Sequence, residues 1–137
     1  MGGHPAYLQT VLDCERPREL AEFYRQLLGL VYRAGDEPPT DGSVDDADWL
    51  VLTHPDGTRG LAFQQVGRLE RTTWPEHTVP QQLHVDYVVD DVEELERHKD
   101  EALRLGAELR LDRTDDDEEP LYVLADPAGH PFCIFVG

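Results

Sequence analysis

Residues 83–107 read LHVDYVVDDVEELERHKDEALRLGA, and residues 8–30 read LQTVLDCERPRELAEFYRQLLGL. Each is a β-rich run, an acidic turn, a stretch with helical spacing of apolar residues, and then Leu-Gly before another apolar run. A shift of 75 places Gln9 on His84 and Leu20 on Leu95. A two-residue slip then aligns Leu28-Gly29 with Leu105-Gly106. Downstream, Leu52-Thr-His-Pro-Asp-Gly57 matches Leu124-Ala-Asp-Pro-Ala-Gly129. The chain therefore reads as two copies of strand–helix–strand–strand–strand, an α+β arrangement of two tandem βαβββ modules. The expected division is a first module over about 5–66, a linker over about 67–80 and a second module over about 81–137.

Local signals place the elements. A helix is expected from Pro17 to Leu28, because proline suits the first helical position and Gly29 can stop the helix in the left-handed conformation. Leu20, Phe23, Tyr24, Leu27 and Leu28 give it one apolar face. A second helix is expected from Val92 to Leu105, capped by Asp91, with Glu93 and Glu94 at its positive end. Strands are expected near 7–13, 30–34, 48–53, 60–66, 82–89, 108–112, 121–125 and 131–136. The segments 35–47 and 112–119 read as acidic loops.

Composition excludes several functions. The 137 residues hold 29 acids against 12 bases, a formal charge of −17. Nucleic-acid affinity comes largely from Lys and Arg on phosphates, so no nucleic-acid partner is expected. The same sign argues against an anionic membrane surface. No apolar run approaches the roughly 18 to 20 residues that span a bilayer. No secretory signal is visible. Cys14 and Cys133 are too few and too far apart for a disulfide scaffold or a structural zinc site, and they fit a reducing cytoplasm. The Asp115-Asp-Asp-Glu-Glu119 run lacks EF-hand spacing and reads as a solvated loop.

Strand alternation selects candidate site residues. Leu83, Val85, Tyr87 and Val89 share one face; His84, Asp86 and Val88 share the other. Gln9 falls on the face away from the helix in the first strand, as do Gln64 in the fourth and Cys133 in the last. Amide side chains orient an organic ligand by donor and acceptor bonds. Asp86 beside His84 suits a general base. Phe63 and Phe135 are cavity wall or core, and Trp74 in the linker could stack on a flat ligand.

The order and spacing of four motifs resemble the vicinal oxygen chelate superfamily, which includes glyoxalase I, bleomycin-resistance proteins and extradiol dioxygenases. They are Phe23-Tyr-Arg-Gln-Leu-Leu-Gly-Leu30, His84-Val-Asp-Tyr-Val-Val-Asp-Asp91, Leu105-Gly-Ala107 and Asp126-Pro-Ala-Gly-His-Pro-Phe-Cys133. Pro80-Gln-Gln-Leu-His-Val-Asp86 and Phe63-Gln64 are similar to a glyoxalase-like subgroup of undefined activity. The resemblance implies two half-open sheets around a shared central cavity and a homodimer. It also implies metal ligands at four positions, which here hold Gln9, Gln64, His84 and Cys133. Glutamates are expected where Gln64 and Cys133 stand, so the set is incomplete. Zinc, nickel, manganese and iron are the divalent ions such a site would take.

The expected function is binding of a small organic ligand in the cavity, contacted by Gln9, Phe63, Gln64, Trp74, His84, Cys133 and Phe135, without a full metal set. Two alternatives stand beside it. One is a lyase, isomerase or dioxygenase-type enzyme that uses a divalent metal at His84 or acid–base chemistry by Asp86 and His84. The other is a non-catalytic subunit or regulatory domain.

Overall fold

In a computed structural model of the chain, residues 3–137 are described. They divide into two units, one ending at Gly67 and one over Arg68–Gly137. In the first, β1 (Thr10–Cys14) leads into α1 (Pro17–Leu28), followed by β2 (Val31–Tyr32), β3 (Trp49–Thr53) and β4 (Arg59–Gln65). The second unit repeats the order as β5 (Val85–Val89), α2 (Val92–Arg104), β6 (Glu108–Asp112), β7 (Leu121–Ala125) and β8 (Pro131–Val136). Each unit forms one open four-stranded sheet, ordered β1-β4-β3-β2 and β5-β8-β7-β6. In each, the first strand runs parallel to the last and the other pairings are antiparallel. The expected α+β class and duplicated βαβββ order are both present.

Helix α1 has Pro17 in its first turn and Gly29 beyond its end at φ 68°. That left-handed backbone suits glycine, which lacks a Cβ to clash there. Leu20, Ala21, Phe23, Tyr24 and Leu27 are buried, and the helix packs on β3 and β4. Leu12, Leu50 and Phe63 pair across the sheet and so share its helix side. The Tyr24 and Phe63 rings stack with centroids 6.0 Å apart. Phe63, expected as a ligand contact, is fully buried against α1, on the sheet face opposite Ala62 and Gln64. Arg18 holds the acidic loop that follows β2: its Nε donates to Asp45 Oδ2 at 2.7 Å and its Nη1 to the Asp36 carbonyl at 2.7 Å.

Helix α2 begins at Asp91, whose Oδ1 accepts from the Glu94 N–H at 2.8 Å. Leu95 and Ala102 are its buried residues, and it packs on β5 and β8. Tyr122 belongs to this side of the sheet: its Oη donates to Glu96 at 2.5 Å, and Lys99 lies 5.2 Å above its ring. Burial and Glu96 push the Tyr122 hydroxyl up to about 12.

Strands β1 and β5 start three residues later than the alternation suggests, so Gln9 and His84 each lie one residue before their strand. The parallel ladders begin at equivalent points, Thr10↔Leu61 and Val85↔Phe132. Residues 67–80, expected as a linker, are folded in part: Thr72 Oγ1 donates to the Val79 carbonyl at 2.5 Å and accepts from the Trp74 N–H at 3.1 Å.

Leu95→Ala removes a fully buried side chain and should cost about 2–5 kcal/mol in urea unfolding. Asp91→Ala should cost about 1 kcal/mol by loss of the helix cap.

Candidate functional site

On the face of the second sheet away from α2, cross-strand pairing builds two rows. Asp86, Cys133 and Val123 form one; Val88, Phe135 and Leu121 form the next. Leu121, Val123 and Cys133 make a buried apolar cluster, and Trp74 and Phe135 pack against it. His84 enters at the open end of the first row. Its Nδ1 lies 3.1 Å from Gln81 Oε1. A carbonyl oxygen only accepts, so Nδ1 donates to it. The ring's Nε2 is 3.3 Å from Asp86 Oδ1. The indole of Trp74 stacks on the imidazole, with centroids 4.8 Å apart and planes 16° apart.

Arg110 ties down the segment that carries Trp74. Its Nη1 donates to the Thr72 carbonyl at 2.9 Å and to the Trp74 carbonyl at 3.2 Å, and its Nε lies 3.1 Å from Glu108. Its charge is thus committed to Glu108 and backbone carbonyls rather than to Asp86. The Cys133 thiol is pushed up to about 12, first by burial and then by the neighbouring Asp86 carboxylate. At neutral pH it is a thiol and a poor nucleophile. The ligand atoms of His84, Asp86 and Cys133 all lie within 4.8 Å of one another.

The first unit has the same frame with different groups. Thr10↔Leu61 and Val11↔Ala62 occupy the register that Val85↔Phe132 and Asp86↔Cys133 occupy in the second. The counterpart of Cys133 is therefore Ala62, a buried alanine with no donor atom. Gln64, assigned that place by motif order, pairs with Asp13 and corresponds instead to Phe135. Gln64 thus sits opposite a residue four positions beyond Gln9, roughly 13 Å along the strands. Gln9 is already engaged: its Oε1 accepts from Arg59 Nη1 at 2.8 Å.

Of the expected site residues, Trp74, His84, Asp86, Cys133 and Phe135 are brought together within the second unit. Gln9 and Gln64 lie in the first and are not adjacent, and Phe63 is core. The four-position metal set implied by the resemblance does not fit these residues, because its first half supplies one hydrogen-bonded amide and one alanine. Two contributors escaped the sequence reading. Gln81 stands three residues before His84 and is hydrogen-bonded to its ring. Arg110 lies in β6 and acts through bonds to the Thr72 and Trp74 carbonyls, far from it in sequence.

A family profile described as a glyoxalase-like domain matches residues 9–135. Among curated proteins none matches the chain. Several solved structures share its fold. The genomically encoded fosfomycin resistance protein FosX from Listeria monocytogenes is 12% identical, with a TM-score of 0.68 over 98% of this chain and 94% of that one. A glyoxalase/dioxygenase from Nostoc punctiforme is 20% identical, with a TM-score of 0.66 over 98% and 92%. A glyoxalase/bleomycin resistance protein/dioxygenase family enzyme from Burkholderia phytofirmans PsJN is 17% identical, with a TM-score of 0.64 over 93% and 95%. At these identities the likeness establishes the fold alone. No helix among the described residues is long and apolar enough to cross a membrane.

Both cysteines are buried, with Cys14 1% and Cys133 3% exposed. Iodoacetamide at neutral pH should leave both unmodified in the native protein and alkylate both in urea, as read by intact mass.

Proposed function

The chain belongs to the glyoxalase-like domain family of the vicinal oxygen chelate superfamily, and on that premise we propose that it binds a small organic ligand on the open face of its second sheet. One observation carries the reading: two polar groups, His84 Nε2 and the exposed Asp86 carboxylate, converge 3.3 Å apart beside an indole stacked on the imidazole. A carboxylate accepts from a ligand that brings N–H or O–H donors. Trp74, Phe135 and the Cys133 cluster supply an apolar wall for a flat ring.

The charge of the ligand follows from the same groups. Asp86 is an exposed carboxylate, and the nearby Arg110 is spent on Glu108 and on backbone carbonyls. The chain as a whole carries −17. Both terms raise the local concentration of cations and repel anions. The ligand is accordingly a planar, neutral or cationic molecule.

A second reading shares the same pair. Asp86 would take a proton from the bound molecule while His84, held by Gln81, hydrogen-bonds it, as in lyase or isomerase chemistry. The His84–Asp86 distance supports this reading too. A dioxygenase of the two-histidine, one-carboxylate type is less well supported, since the second-unit cluster holds one histidine.

Benzamidinium and benzoate form a charge-reversed pair of similar shape and test the proposal by ligand-observed NMR. Benzamidinium should bind at about millimolar affinity and benzoate at least ~10-fold more weakly, a difference of about 1.4 kcal/mol. Asp86→Asn should erase the preference, and Trp74→Ala should weaken benzamidinium binding. Equal binding of the two probes, or a preference that survives Asp86→Asn, overturns the reading.

A further inference from the structure

We propose that Arg110 is a positioning residue, which fixes residues 71–79 on the second sheet so that the Trp74 indole lies over His84 before any ligand arrives. The step from that placement to affinity rests on the ligand reading above; the placement itself does not.

Residues 72–79 close on themselves. The Thr73 N–H donates to the Val79 carbonyl at 2.9 Å, the Val79 N–H to Thr73 Oγ1 at 2.9 Å, and the Glu76 N–H to the Thr73 carbonyl at 3.0 Å. These bonds set the shape of the loop but not its place on the sheet. Its sequence, Thr72-Thr-Trp-Pro-Glu-His-Thr-Val79, offers one large apolar side chain. That half-buried indole rests on the cluster of Leu121, Val123 and Cys133. Apolar contact is non-directional, so it holds a flat ring against a surface without fixing its angle. The 16° between the indole and imidazole planes therefore needs directional contacts to the backbone that carries Trp74.

Arg110 supplies them. Leu109 pairs with Leu124 and Leu111 with Val123, so β6 holds one more residue than β7 at this point, and that residue is Arg110. A bulge of this kind re-aims a side chain. The Arg110 side chain is 13% exposed, and its Nη1 alone serves the carbonyls on either side of Thr73, those of Thr72 at 2.9 Å and Trp74 at 3.2 Å. A charged donor makes such bonds stronger than a neutral one would. Glu108 faces two arginines: Oε1 lies 3.1 Å from Arg110 Nε, and Oε2 lies 3.8 Å from Arg71 Nη2. Arg71 in turn donates from Nη1 to the Pro127 carbonyl at 2.8 Å. Its stem crosses Gly129 so closely that a Cβ there would stand 2.9 Å from Arg71 Cγ. Two arginines and one carboxylate thus tie residues 71–74 to β6 and to the turn before β8. A ring held this way stacks on a ligand without being ordered at each binding event.

The test is the NMR spectrum of the His84 ring in the ligand-free full chain at fixed pH. A stacked indole moves the imidazole protons upfield, and Trp74→Ala marks their unshifted positions. Arg110→Met keeps the aliphatic stem and removes the donors; it should move the His84 resonances most of the way to those positions. Glu108→Gln, at a side chain 59% exposed, should move them the same way by less. Resonances of the first unit should stay in place in both variants, which separates loss of the stack from unfolding. Benzamidinium affinity should fall about 2- to 10-fold in Arg110→Met, the range that ordering one side chain at each binding event corresponds to. Wild-type His84 resonances already at the Trp74→Ala positions overturn the proposal. So does indifference of those resonances to Arg110→Met or, where that variant does not fold, to Glu108→Gln. Undiminished affinity in an Arg110→Met protein that has lost the stack overturns the step to affinity. Failure of the wild-type chain to bind benzamidinium sinks the ligand reading alone, because the His84 shifts still decide whether Arg110 places Trp74.

Discussion

The parallel pairing of β5 with β8 determines where the carboxylate and the thiol of the site stand. Its register sets Asp86 beside Cys133 and Val88 beside Phe135. Parallel ladders bond evenly along their length, and a slip of one residue would exchange the two faces of the sheet. Burial on the α2 side resists such a slip, because it would move Phe132 and Ile134 off the apolar face and put Cys133 under the helix. The chemistry on one face is thus held in place by packing on the other. His84 lies just outside the strand, where its ring meets Gln81 and Trp74.

Much of this frame was legible because it rests on local rules. Pro17, Gly29 and Asp91 mark helix ends by mechanisms that act within one turn, and both helices begin where those residues put them. The duplication made Gln9 and His84 equivalent, and the two registers agree with that. Cross-strand register was not legible. Motif order suggests that Phe63-Gln64 and Phe132-Cys133 correspond, but the ladder pairs Ala62 with Val11 as it pairs Cys133 with Asp86. Nothing local to the fourth strand encodes that offset, since it depends on the length of the intervening segments. Gln81 and Arg110 were illegible for another reason. Each acts through a hydrogen bond whose partner is known only once the backbone is placed.

The heavy acidity is put to several local uses. Asp41, Asp56, Glu76 and Asp112 each accept hydrogen bonds from a Ser or Thr two residues later, which closes a turn and holds each carboxyl below its usual range. Glu94 and Glu101 pair with Arg97 and Arg104 along the outer face of α2 and are likewise held low. A depressed carboxylate stabilises the fold above its unfolded value and loses that contribution as pH falls through the folded one. The exposed position of these groups keeps each contribution small.

With those carboxylates committed to turns and helix faces, Asp86 has a distinct place. It stands on the sheet face away from α2, with a buried thiol across the ladder and an imidazole nitrogen beside it. The same frame in the first unit carries Val11 and Ala62 at the equivalent points, groups that neither donate nor accept. The two units share a backbone register, but only the second places a histidine, a carboxylate and a thiol together. The chemistry is therefore asymmetric between two halves of equal topology. Substitutions in the second unit should alter what the face binds, whereas those at Val11 and Ala62 should be felt through packing.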